Sequence, residues 1–326
     1  MGLPAASPPG WVQPMTLRLP CLPRLAQLIA LALAAPAALP ASQPPLRVAT
    51  LSTILTEVAR EVGGDHVAVF GLVRADVDPH SFEPSPRDVG KLTEADLVLA
   101  SGLGLEPYLD RLVANAGVRG RVLSIGERLP IVLSGHHAPG LQPEILPAGG
   151  EKDPHWWHSI ANVLYAADLI RIEYSRQRPG AAADFARAAQ AYEQRLFALQ
   201  GWTAREIARL PPARRQLVTS HDAFAYFARD YGFAVHALSG LSPDAELNAR
   251  DLARLVDLMR REHILAVFPE STVNPRMLQS LVGETGARVG APLYADGLGG
   301  DQSDAATYEA MYHHNVSAIV SALAAP

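Results

Sequence analysis

Four short segments hold the side chains of this chain that are best suited to chemistry. They are DPHSFEP at 78–84, DPHWWH at 153–158, TSHDAF at 219–224 and LYADGLG at 293–299. Taken singly, a His at a strand end is usually structural, and an Asp before Gly is usually a turn residue. Taken together, His80, His155, His221 and Asp296 supply three imidazoles and one carboxylate, which is a donor set that zinc prefers. Their convergence would make one metal site.

The composition limits what other chemistry is available. The chain has 326 residues and a single cysteine, Cys21, so it has neither an internal disulfide nor a cysteine-rich zinc site. With 28 basic against 33 acidic residues and a formal charge of −5, it lacks the basic field that nucleic acid needs, so no nucleic-acid partner is expected. A hydrophobic share of 48% excludes wholesale disorder.

The first 41 residues are interpreted as a secretory signal peptide. An apolar run at 25–35 follows two arginines, and no acidic residue precedes it. This run is shorter than the roughly 20 apolar residues that a membrane-spanning helix needs. Met15 is an alternative start that gives a more usual signal length. Cys21 precedes the apolar run, where a lipid-modified cysteine would not lie. We therefore expect export to the periplasm.

Strands and helices alternate along the remaining chain. Strands are predicted at 46–51, 67–73, 96–100, 121–125, 216–220, 234–238, 264–269 and 287–294. Most lack polar alternation, as expected for parallel strands that are covered on both faces. Ser85-Pro86-Arg87-Asp88 has the pattern of a helix start, and the apolar residues of 248–261 have helical spacing. The alternation predicts βαβ units and an α/β fold in both halves.

One long helix is predicted between the halves. Residues 181–210 are rich in Ala, Arg, Glu, Gln and Leu and contain no proline. The expected domains are therefore an N-terminal α/β lobe at 42–179, a linking helix at 180–211 and a C-terminal α/β lobe at 212–326. In open α/β sheets, ligands bind outside the carboxyl ends of the strands. Each lobe contributes two of the four candidate groups, so facing strand ends would bring all four into the cleft between the lobes.

The segments DPHSFEPSPRD, DPHWWHS, TSHDAFAYFARDYG, FPESTVNP and YADGLG resemble the zinc- and manganese-binding solute-binding proteins of bacterial ABC importers, the metal-binding cluster 9 family. The resemblance covers residues 45–324. It implies two lobes, each with a four-stranded parallel sheet flanked by helices, joined by one rigid helix, with one metal in the cleft. It also implies that the four ligands are His80, His155, His221 and Asp296. The implied partners are a membrane permease and its cytoplasmic ATPase.

The third ligand position indicates which metal to expect. In the family, His at this place accompanies zinc-type sites, whereas manganese-type sites usually carry Glu, and this chain has His221. Manganese favours oxygen ligands and zinc favours nitrogen, so the chemistry agrees with Zn(II) as the bound metal. Glu270 lies where the family has a Glu near the site and is a candidate second-shell residue. Asp78 and Glu83 are weaker candidates for the same role.

Two departures from the family pattern stand out. His158 occupies a place that is commonly apolar, and it is interpreted as a surface residue, with an auxiliary ligand as the alternative. The loop at 134–150 is short where many zinc members carry a His-rich acidic loop. His136 and His137 in this loop either help to capture metal or are simply solvated. The short loop raises the prospect of a periplasmic zinc chaperone that delivers the metal.

The sequence favours a monomeric receptor that binds zinc and delivers it for uptake, rather than an enzyme. A manganese or iron receptor of the same family is the nearest alternative. A zinc hydrolase is the alternative of another class, but it needs an open coordination position and a general base. The sequence has no HExxH or GxSxG segment that would supply such chemistry. A surface adhesin role is disfavoured by the absence of a lipid-attachment motif.

Overall fold

The computed structural model describes Gly2 and residues 43–134, 152–243, 249–272 and 276–324. Residues 44–326 form one compact unit. Apart from Gly2, the predicted signal peptide lies outside the described residues, and its assignment stays a prediction. Within the part of the chain that the structure describes, no helix combines the length and the apolar character needed to cross a membrane.

The N-terminal half contains a four-stranded parallel sheet. Its strands are β1 (Leu46–Thr50), β2 (Val67–Gly71), β3 (Leu97–Ala100) and β4 (Arg121–Ser124), in the spatial order β2-β1-β3-β4. Its helices are α1 (Thr53–Gly63), α2 (Pro86–Thr93), α3 (Leu109–Ala116) and α4 (Ile160–Gln177). All four strands predicted for this half are present, within two residues of the predicted bounds. The predicted helix start at Ser85 is also confirmed, because Ser85 and Asp88 form a capping box at the beginning of α2.

The C-terminal half contains two parallel strand pairs rather than one continuous sheet. The strands are β5 (Gln216–Thr219), β6 (Ala234–Ala237), β7 (Ala266–Val267) and β8 (Arg288–Val289), paired as β5-β6 and β7-β8. A parallel bridge between Thr219 and Phe268 links the two pairs. The strand predicted at 287–294 is therefore much shorter than expected. Pairing is interrupted around Pro292, which has no N–H to donate, and resumes as a single parallel bridge between Leu293 and Glu270.

Helices of the C-terminal half complete this α/β arrangement. They are α6 (Ala225–Tyr231), α7 (Ala249–Arg261), α8 (Arg276–Thr285) and α9 (Tyr308–Ala324). The long helix α5 (Ala182–Ile207) precedes them and agrees with the predicted linking helix. It packs against α1 and α4 of the first half and against α9 of the second. Its buried side chains recur every three or four residues, which is the spacing of one helix face. Helix α5 thus contacts elements of both halves.

Candidate metal centre

Four side chains from distant parts of the chain converge on one point. One ligand atom from each of His80, His155, His221 and Asp296 lies within 4.8 Å of the others. Oδ1 of Asp296 is 3.2 Å from Nε2 of His221 and 3.5 Å from Nε2 of His155. It is 3.6 Å from Nε2 of His80. Four ligands at zinc bond lengths of about 2.0–2.2 Å in a tetrahedron stand about 3.4 Å apart, so the observed spacing fits such an ion.

His80 lies in the loop between β2 and α2. Asp78 shapes this loop, because its Oδ1 accepts a hydrogen bond from the backbone N–H of His80 at 2.8 Å. Its Oδ2 accepts from the hydroxyl of Ser81 at 3.0 Å. The His80 side chain keeps 10% of its area exposed, whereas those of the other three residues are essentially buried. His80 is therefore the group of the cluster that is nearest to solvent.

His155 is oriented by a buried carboxylate two residues before it. Oδ1 of Asp153 accepts from the backbone N–H of His155 at 2.9 Å and pairs with its ring Nδ1 at 2.8 Å. With Nδ1 held in this way, Nε2 faces the cluster. Burial favours neutral imidazole, but the paired Asp153 carboxylate and Asp296 outweigh it and raise the pKa of His155. The Asp-Pro-His tripeptide thus supplies a candidate ligand together with the carboxylate that orients it.

His221 follows β5 and is held by Glu270, which follows β7. Oε1 of Glu270 accepts from the backbone N–H groups of Ser220 at 2.9 Å and of His221 at 3.0 Å. Its Oε2 pairs with Nδ1 of His221 in a short hydrogen bond. Burial would lower the pKa of this imidazole, but the charges of Glu270 and Asp296 outweigh burial and raise the pKa of His221 well above its ordinary value.

Asp296 closes the cluster from the loop after β8. Its Oδ2 lies 3.4 Å from the hydroxyl of Thr272, which donates to it. Its Oδ1 is buried and has no hydrogen bond of acceptable geometry among the described residues. Burial would raise its pKa, yet the facing imidazoles of His221, His155 and His80 hold the pKa of Asp296 well below its usual value. A buried, ionised oxygen that faces three ring nitrogens has the environment of a cation ligand.

His158 is buried, whereas it was predicted to lie at the surface. It is 1% exposed, so its interpretation as a surface residue is wrong. Its ring stacks on Phe224 at 4.3 Å between centroids, and its Nε2 donates to the carbonyl of Ala295 at 2.8 Å. Burial lowers the pKa of His158 to about 3, so the ring is neutral. Its Nε2 is directed to a backbone carbonyl and not to the four-group cluster.

The remaining candidates have different surroundings. Glu270 contacts the ring of His221, a candidate ligand. Asp78 accepts hydrogen bonds from the backbone of His80 and the hydroxyl of Ser81, and Glu83 is exposed. His136, His137 and nearly all of the loop at 134–150 lie outside the described residues. The sequence did not single out Thr272 or the contacts to the Ala295 carbonyl. The only signal for Asp153 was its place in the second Asp-Pro-His tripeptide.

An α/β chain that brings three imidazoles and one carboxylate within 4.8 Å of one another has the donor set of a metal-binding receptor. Residues 48–322 match the family model of ZnuA, the periplasmic component A of a zinc-uptake complex. The chain belongs to this family of metal-binding proteins, which work with the permease and ATPase of ABC importers. It is a substrate-binding protein and not an enzyme.

Relatives in this family differ in the metal that their names state. The chain is 37% identical over 286 residues to the manganese-binding lipoprotein MntA of Bacillus subtilis, covering 85% of this chain and 90% of that protein. It is 32% identical over 285 residues to the zinc-binding protein TroA of Treponema pallidum, covering 86% and 89%. The solved structure of that TroA superposes with a TM-score of 0.76 at 30% identity, covering 86% of this chain and 99% of the other. These similarities establish a metal receptor and leave its metal open.

Proposed function

We propose that this protein is a zinc-type receptor that binds Zn(II) through His80, His155, His221 and Asp296 and delivers it to an ABC permease for uptake. The observation that carries the proposal is the convergence of three Nε2 atoms on Oδ1 of Asp296 at 3.2–3.6 Å. The spacing is that of a compact four-ligand site. The site offers one carboxylate and three imidazoles, whereas manganese prefers a larger, oxygen-rich shell.

The donor set supports zinc over manganese or iron. The third position is an imidazole where manganese-type sites carry a carboxylate, and imidazole nitrogen suits zinc whereas carboxylate and water oxygen suit manganese. His221 is held by Glu270 through its Nδ1, which fixes the ring so that Nε2 serves as the ligand atom. Manganese is the second candidate, because the relative at 37% identity is named as a manganese-binding protein.

The cellular setting belongs to the same proposal. The apolar run within the first 41 residues supports export to the periplasm by a cleavable signal peptide. A receptor in that compartment would act as a monomer of two lobes, at 42–179 and 212–326, joined by the helix within 180–211. The short loop at 134–150 supports delivery of zinc by a periplasmic chaperone.

Competition between metals tests the choice of metal. The exported chain, purified and stripped of metal, is dialysed against equimolar Zn(II) and Mn(II), and bound metal is measured by elemental analysis. We expect about one zinc per chain and little manganese. Chelator titration of each metal in turn should show that manganese binds more weakly than zinc. Equal loading of both metals, or a preference for manganese, would reject the zinc assignment and leave a metal receptor of the manganese type. A His236→Ala variant, which changes another buried His, is expected to load as the parent does.

A further inference from the structure

The backbone carbonyl of Ala295 accepts two hydrogen bonds from neighbouring side chains. Nε1 of Trp157 donates to it at 2.8 Å, and Nε2 of His158 donates to it at 2.8 Å. Both rings are buried, and Ala295 is itself only 1% exposed. Because Ala295 directly precedes Asp296, these two donors fix the peptide group that leads into the carboxylate of the cluster.

The segment that supplies these donors is itself anchored to α9. The hydroxyl of Tyr308 donates to the carbonyl of Trp157 at 2.6 Å, and the hydroxyl of Tyr312 donates to the carbonyl of His158 at 2.8 Å. Trp157 and His158 belong to the short 3₁₀ helix Trp156–His158, which begins directly after His155. The segment that follows His155 is thus hydrogen-bonded both to α9 and to the peptide group that precedes Asp296.

From these contacts we infer that Trp157 and His158 are positioning residues that hold Asp296 at its distance from His155 before metal binds. The inference rests on the proposed metal-binding function and adds residues that do not contact the metal. Each buried hydrogen bond to the Ala295 carbonyl restrains the orientation of its peptide group. Removing one donor would weaken this restraint and leave the carbonyl with one partner fewer. Packing alone would not require an imidazole at position 158, because an apolar ring could stack on Phe224 equally well.

Two substitutions at His158 separate hydrogen bonding from packing. His158→Phe keeps a ring beside Phe224 and removes the donor. His158→Gln loses the ring but places an amide N–H near the position of Nε2. The probe is Co(II), whose visible absorption reports coordination geometry, followed by Zn(II) affinity from chelator competition. His236→Phe is the matched control, since His236 is also buried and its Nε2 bonds to Gln216 rather than to the Ala295 carbonyl.

We expect His158→Phe to weaken Zn(II) binding about 10–100-fold and to change the Co(II) spectrum, as outer-shell substitutions typically do. His158→Gln should restore most of the affinity and the parent spectrum, and His236→Phe should leave both unchanged. If His158→Phe does not fold, Tyr308→Phe tests the same anchor by releasing the carbonyl of Trp157, and a weaker affinity with a changed spectrum is expected. Parent-like binding and spectrum in the Phe variant that folds would overturn the inference.

Equal weakening in His158→Phe and His158→Gln would also overturn it, because shape and not the donor would then matter. Failure of the parent chain to bind either Co(II) or Zn(II) would instead reject the proposed function itself. The two failures are therefore distinguishable, since the first is a comparison between variants and the second is a property of the parent.

Discussion

Glu270 holds His221 at two points, the backbone N–H and the ring Nδ1. The two residues are 49 positions apart and follow two different strands, β5 and β7. The contact therefore joins the two strand pairs of the C-terminal half at the metal centre. A carboxylate that faces Nδ1 fixes the tautomer and makes Nε2 a better donor to a cation. Glu270 thus sets both the orientation and the basicity of a proposed ligand.

Glu270→Gln is expected to weaken Zn(II) binding about 10–100-fold, which is the usual cost of losing an outer-shell carboxylate. The amide oxygen can still accept from the backbone, but the negative charge beside His221 is lost. Chelator competition measures the affinity. Glu106→Gln is the matched control, because Glu106 is also buried and accepts from the backbone N–H groups of Ser101 and Gly102, with no imidazole among these contacts. An unchanged affinity in Glu270→Gln would show that the charge beside Nδ1 is dispensable.

Removal of His221 should cost more than removal of His80. His221 is fully buried and fixed by Glu270, so His221→Ala leaves a cavity between two carboxylates and removes a proposed ligand that is already oriented. His80 is partly exposed, so water can replace its ring in His80→Ala. We expect His221→Ala to weaken Zn(II) binding by more than the roughly 10–100-fold that an outer-shell substitution costs. His80→Ala should weaken it by less than His221→Ala does. Isothermal titration with Zn(II) compares the two variants, and the reverse order would contradict this reasoning.

Several features of the site could be predicted from the sequence because they depend on local patterns. Each of the three His residues and Asp296 follows a predicted strand or lies in a repeated tripeptide, so residue type and spacing were enough to select them. The environment of His158 could not be predicted, because its burial depends on Phe224 and on Ala295, which is 137 residues away. The length of β8 was also overestimated, since apolar content alone does not reveal where strand pairing stops.

Zinc should stabilise the folded chain in proportion to its affinity. Metal that binds only the folded state adds about 4 kcal/mol to the free energy of unfolding at a free concentration a thousandfold above Kd. Thermal unfolding with and without chelator is expected to show a higher Tm for the loaded protein. His155→Ala should remove most of this difference, because it deletes a buried member of the proposed ligand set. If zinc raises the Tm of His155→Ala as much as that of the parent, the stabilising ion must bind elsewhere.

Stability without metal should also fall as the pH rises, because of Glu57. Its Oε2 accepts from the backbone N–H of Tyr308 at the start of α9 at 2.7 Å, and its Oε1 is buried without a partner among the described residues. Burial raises the pKa of Glu57 from 4.5 to about 7. The folded chain therefore keeps a proton that the unfolded chain loses above pH 4.5. The resulting stabilisation is complete below that pH and is lost as the pH rises to about 7.

Glu57→Gln imitates the protonated carboxyl of Glu57 at every pH. The free energy of unfolding of this variant should therefore decline less than that of the parent between pH 4.5 and 8. The expected difference from the parent is about 3 kcal/mol, since each unit of pKa shift corresponds to about 1.4 kcal/mol. Urea unfolding of the metal-free protein across this range measures it. Glu61→Gln, one turn further along α1, should keep the parent's decline, because Glu61 is partly exposed and pairs with Arg195. The same decline in Glu57→Gln and in the parent would mean that Glu57 is ionised in the folded chain, with its charge tolerated by the N-terminus of α9.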